Sequence, residues 1–120
     1  MIFPPTPTQQ AAEAGAPSGE SKVVTRAAAA WLSELTIGAV DRAKMTADLA
    51  RSTSDARLAA LRRGILANGK LQRFVFVGRV SDSSGLTDVY RLFYPAAVVS
   101  YSLSLDQSGK IQAFTLSRED

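Results

Sequence analysis

The hydrophobic period of this chain changes once, near Leu71, from about 3.6 residues to about 2. Before that point apolar residues recur three and four positions apart; after it they alternate. Helices followed by strands predict an α+β fold with helices and sheet in separate layers.

In the helical half, Val24, Ala28, Trp31, Leu32, Leu35 and Ala39 make one stripe and predict a helix from about Ser21 to Thr36. Gly38 stands where a left-handed C-terminal cap belongs. A second helix is expected from about Val40 to Ala50, carried by Val40, Ala43, Ala47 and Ala50, with Met45 and Leu49 beside them. "STSD" breaks the pattern and offers Ser54 as N-cap of a third helix, whose buried face is Leu58, Leu61, Ile65 and Leu66 and which ends at Asn68-Gly69.

In the alternating half, "LQRFVFVGRV" puts Phe74 and Phe76 on one face and Val75 and Val77 on the other. "SDSSGLTD" is a turn, "VYRLFYP" a second strand ending at Pro95, and "AAVVSYSLSLD" a third. In the third strand Val99, Tyr101, Leu103 and Leu105 point one way and Ser100, Ser102 and Ser104 the other. Asp106-Gln107-Ser108-Gly109 turns the chain into a fourth strand, "KIQAFTLS". Loops this short predict a four-stranded antiparallel meander. Ile111 is out of phase with Phe114 and Leu116, so a bulge is expected near Gln112 and Ala113, bending the strand and curving the sheet.

Residues 1–20 hold four of the five prolines and little apolar surface, and are expected to form a flexible tail or linker ahead of one α+β domain over residues 21–120. The start "MIFPPTPTQQ" has neither a basic n-region nor a long apolar h-region. Location is left open between the cytoplasm and a secreted or periplasmic site reached with a leader since removed. No apolar run approaches the roughly 20 residues that span a bilayer.

Cysteine and histidine are both absent, which removes disulfides, thiolate nucleophiles, the commonest zinc ligands and the usual general base. No catalytic residue, cofactor or metal is assigned. The formal charge is +3. Between Asp55 and Asp82 stand Arg57, Arg62, Arg63, Lys70, Arg73 and Arg79 with no acid among them. A solvated helix face is the preferred reading, an anion-binding surface along the third helix and first strand the alternative. A nucleic-acid partner is not expected, because no recognition motif and no interleaved exposed aromatics accompany the cations. The serine row lacks a G-x-S-x-G or S-x-x-K setting, and "GKLQ" and "SGKI" lack the rest of a phosphate-binding loop.

The helix "AAAAWLSEL", the break at Gly38, "ANGKLQRF", Asp88-Val89-Tyr90 opening the second strand and the closing "YSLSLDQSGKIQAFTL" together resemble the nuclear-transport-factor-two-like superfamily over about residues 21–118. The closest look-alikes are small bacterial domains of unassigned function, some attached to serine hydrolases. The resemblance implies a cystatin-like cone, with N-terminal helices packed on a curved four-stranded antiparallel sheet. It also implies a pocket for small apolar molecules between helices and sheet, and homodimers through the open sheet face. Trp31, Phe76, Tyr90, Tyr101 and Phe114 are the residues expected to line such a pocket. The open face, expected to carry Arg79, Arg91 and the serine row, would meet a second copy or a tethered enzyme domain.

Two functions follow. The preferred one is a non-enzymatic interaction or small-ligand-binding domain, possible accessory to an enzyme. The alternative is a small isomerase- or cyclase-like enzyme on an apolar substrate, with Tyr90, Tyr94 or Tyr101 beside Asp88 or Asp41. Against it, Asp88 reads as a strand-start residue beside a turn and Asp41 as a helix-start acid.

Overall fold

The computed structural model describes residues 19–83 and 85–119, apart from the side chain of Asp82. The tail expected over residues 1–20 therefore lies outside the described residues, save for Gly19 and Glu20. Helices α1 (Lys22–Ile37), α2 (Ala47–Ser52) and α3 (Asp55–Ala67) precede strands β1 (Arg73–Asp82), β2 (Gly85–Phe93), β3 (Val98–Leu105) and β4 (Ile111–Arg118). The strands lie in the order β1-β2-β3-β4, each antiparallel to its neighbour, in a sheet that does not close. This is the expected α+β meander with the helices first.

The ends of α1 follow from its capping residues. The Ser21 hydroxyl accepts from the Val24 N–H at 3.3 Å, and Gly38, at φ 87°, donates its N–H to the Glu34 carbonyl at 2.9 Å. Ala28, Trp31, Leu32 and Leu35 are its buried stripe. In α3 only Ile65 is buried, Leu58 and Leu61 are half-buried, and Leu66 is 47% exposed. The expectation that Leu66 belongs to the buried face is corrected. It stands one position, about 100°, around the helix from Ile65.

The continuous second helix is also corrected. Asp41 caps a short 3-10 turn (Arg42–Lys44), Met45 is extended, and Thr46 caps α2 by accepting from the Leu49 N–H at 3.3 Å. Two capping side chains five residues apart offer the backbone local alternatives to one helix. The break also has a tertiary cause. Met45, 2% exposed, forms a parallel bridge with Ile111, and the Thr46 N–H donates to the Ile111 carbonyl at 2.9 Å.

The sheet's inner face carries Phe76, Tyr90, Leu92, Val99, Tyr101, Leu103, Ile111 and Phe114, all buried in one cluster with the α1 stripe, Met45 and Ile65. Fully burying such side chains stabilises a fold by about 1.5–3 kcal/mol each. The phase slip in β4 is resolved as expected. Ser104 pairs with Ala113 and Leu105 with Ile111, so Gln112 is an extra residue and Ile111 and Phe114 share the inner face.

A second bulge lies in β1. Phe76 pairs with Tyr90 and Gly78 with Val89, which leaves Val77 unpaired and 56% exposed. Beyond it the face inverts, and Arg79 comes opposite Asp88 on the inner side. The expectation that Arg79 lies on the open face is corrected, and the extra residue is the reason. Asp88 is likewise no strand-start residue but the fourth of β2, 2% exposed. The serine row is not uniformly open either. The Ser104 hydroxyl is buried, donates to the Leu86 carbonyl at 2.8 Å and accepts from Gln112 Nε2 at 2.8 Å.

Candidate functional site

The five residues expected to line a pocket lie together in the core. Trp31, Tyr90 and Tyr101 are 0% exposed, Phe76 7% and Phe114 8%. Trp31 meets Phe114 edge-on with centroids 5.6 Å apart, and Tyr90 stands 5.7 Å from Phe76 and 5.9 Å from Tyr101. Phe74 leans on Tyr90 at 4.9 Å. These rings fill the space between α1 and the sheet, and none of the five lines any of the three clefts described below. Trp31 Nε1 is buried without a hydrogen-bond partner among the described residues.

The polar groups of the interior are otherwise engaged. Arg79 grips Asp88 with both arms, Nε to Oδ1 at 2.6 Å and Nη2 to Oδ2 at 3.1 Å. The hydrogen bond to Asp88 raises the Arg79 guanidinium above its ordinary value. The Tyr90 hydroxyl is 3.0 Å from Thr25 Oγ1, which in turn donates to Glu20 at 2.8 Å. Burial pushes Tyr90 up to about 12, against the pull of its bond to Thr25. Tyr101 donates to the Ala28 carbonyl at 2.8 Å, and its burial raises it too, with Tyr90 and Tyr94 adding to the effect.

Openings lie at the margins of the helical layer. The first, about 750 Å³, runs between the second half of α1, the end of α3 and the start of β1, with Leu32, Ile37, Leu66, Leu71, Phe74 and Tyr94 among its walls and Lys70 the one charged residue. Ile37 is 65% exposed there. The second, about 410 Å³, lies between α3 and the ends of β3 and β4, with Arg57, Asn68, Tyr94 and Arg118 around a floor that includes Ile65 and Leu116. Tyr94 and Ile65 form a wall common to both clefts. The third, about 490 Å³, holds Arg42, Asp55 and Arg62. Its polar groups are spoken for: Arg42 pairs with Asp55 at 2.7 Å, and Arg62 Nε donates to the Thr36 carbonyl at 3.1 Å.

Tyr94 was visible in the sequence as a candidate, whereas Leu71, Asn68 and Arg118 were not. Asn68 reads simply as a helix stop, and nothing in the local pattern tells where its amide goes. Among the described residues no group of acids is arranged to hold a metal ion, and no helix is long and apolar enough to cross a membrane. No protein-family model, curated protein or solved structure gives a significant match to this chain.

Proposed function

We propose that this chain is a non-enzymatic binding domain of the nuclear-transport-factor-two-like kind that takes a small apolar molecule. The observation that carries the reading is the 750 Å³ cleft, whose walls are largely aliphatic and aromatic while the cone interior is filled by side chains. Cavities of a few hundred Å³ with apolar walls and few polar groups are the usual form of a small-molecule site. An isomerase-like alternative would need an accessible carboxylate beside a free tyrosine. Asp88 is instead 2% exposed and held by Arg79, and the Tyr90 hydroxyl is engaged by Thr25.

The test is a two-dimensional NMR titration of the full chain with octan-1-ol. Shifts concentrated at Leu32, Ile37, Leu71 and Phe74, and lost in Leu66→Glu, support the reading. No saturable shift at these positions sinks it.

A second copy of the chain is the partner proposed for the outer sheet face. Supporting this, no helix packs on that face among the described residues, and Val77 and Val80 are 56% and 53% exposed near one end of it. Sedimentation at rising concentration should show a dimer that Val80→Glu dissociates; a monomer throughout would refute it.

A further inference from the structure

The smaller cleft differs in chemistry from its neighbour. One face of α3 supplies Arg57, Leu61, Gly64 and Asn68, spaced three or four residues apart, so they stack along a single helix stripe. The facing wall comes from the sheet, where Val99 and Arg118 are register partners on β3 and β4 and Leu116 lies beside them. The floor is apolar, two cations stand among the lining residues, and no Asp or Glu does.

Two largely buried residues in this lining turn polar ends toward the cleft that make no hydrogen bond within the protein among the described residues. Asn68 and Tyr94 are each 7% exposed. The backbone of Asn68 is fully used, its N–H on the Ile65 carbonyl and its C=O accepting from Ala96, but its side-chain amide has no partner among the described residues. The Tyr94 hydroxyl likewise has none, while its backbone N–H donates to the Ala97 carbonyl at 2.9 Å. Their polar ends are not sealed from solvent, so both offer unused hydrogen-bonding groups to whatever occupies the cleft. Arg118 spends one nitrogen on the Ala96 carbonyl at 3.2 Å, and Arg57 makes no ion pair among the described residues.

Gly64 adds an independent observation. It lies in the middle of α3, where glycine is among the least favourable residues, and its backbone is helical rather than left-handed. A Cβ built there would meet no atom within 4 Å. Neither backbone conformation nor close packing requires a glycine at this position. What the missing side chain leaves is room, and Gly64 lines the cleft.

We infer that this cleft binds a small organic acid, its apolar body over Leu61, Ile65 and Leu116 and its carboxylate between Arg57 and Arg118, within reach of the Asn68 amide and the Tyr94 hydroxyl. A carboxylate accepts several hydrogen bonds, and guanidinium, amide and phenol can all donate to it. A neutral apolar molecule would use neither arginine, and a cation would face two of them. The assignment concerns a different cleft from the apolar one and does not rest on that cleft's role.

The full chain, labelled with nitrogen-15, is titrated separately with sodium octanoate, octan-1-ol and octylammonium chloride. Octanoate is expected to shift the backbone amide of Gly64, the side-chain amide of Asn68 and the amide of Tyr94, and to bind at least about tenfold more tightly than octan-1-ol. Gly64→Leu should fill the cleft and abolish those shifts while the rest of the spectrum is retained. Arg57→Gln with Arg118→Gln, both on the surface, should reduce octanoate to the affinity of the alcohol. Octanoate binding no better than octan-1-ol, or surviving both variants, overturns the inference. If octan-1-ol acts at Leu32 and Leu71 and octanoate shows no preference, the apolar-cleft reading stands and this one falls. If no probe perturbs either cleft, both fall.

Discussion

Arg79 and Asp88 face each other across β1 and β2 because Val77 occupies no place in the ladder. Without that extra residue Arg79 would share a face with Val77 and Val75, and Asp88 would be a buried carboxylate with no cation opposite. The resulting contact is bidentate, and the Asp88 side chain is 2% exposed against 30% for Arg79. Removing one partner of such a pair costs more than the pair itself contributes, because the other charge is left behind.

Arg79→Met is therefore expected to destabilise the fold by roughly 2–4 kcal/mol, somewhat below the fully buried limit because Arg79 reaches solvent. The double variant Arg79→Met with Asp88→Asn should recover part of that loss. Urea denaturation of the four members of the cycle measures it. An unchanged midpoint for Arg79→Met would show the pair to be structurally idle.

Tyr90 makes stability fall in alkali. Its hydroxyl is raised from 10.0 to about 12 in the folded chain, chiefly by burial. A raised folded value means stability is complete below pH 10 and declines as the pH climbs from 10 to 12, by roughly 2–3 kcal/mol for this group. In Tyr90→Phe the decline over that window should shrink by a comparable amount, although the buried Tyr101 still contributes its own. Equal pH slopes in the two proteins would exclude Tyr90 as a source.

Asp106 acts at the other end of the pH scale. The Ser108 hydroxyl donates to its Oδ1 at 2.7 Å, and the N–H groups of Lys110 and Ser108 each do so at 2.9 Å, which holds the carboxyl below its usual range. A depressed folded value gives stability that is present above about pH 3.9 and lost as the pH falls through the lower folded value. The melting temperature of Asp106→Ala should lie below that of the parent at pH 6, and the gap should close in acid. A gap that persists at pH 2 would mean the loss is not electrostatic.

What could be read in the sequence divides by the range of the forces involved. The cap residues Gly38 and Ser54, the β4 bulge at Gln112 and the α+β order all rest on local chemistry or on period, and the structure has them. The break at Met45 depends on a bridge to Ile111, 66 residues away, and no local pattern carries it. The β1 bulge was hidden for another reason. "FVFVGRV" alternates acceptably in either phase because the valines suit both faces, so only the pairing with β2 reveals which residue is extra. The clefts are less legible still. They depend on how far α3 stands from the sheet, and the aromatic residues expected to line a pocket are the ones that close the interior.

The two bulges have one more consequence. They sit in β1 and β4, the outermost strands, and each inserts a residue that breaks the regular spacing of donors and acceptors along an otherwise unpaired border. On the β4 side, Thr46 also takes up the Ile111 carbonyl. An incoming strand could continue the ladder for only a few residues before losing step. The sheet thus resists growing sideways into fibrils, and that protection comes from the same insertions that bring Ile111 and Arg79 to the interior.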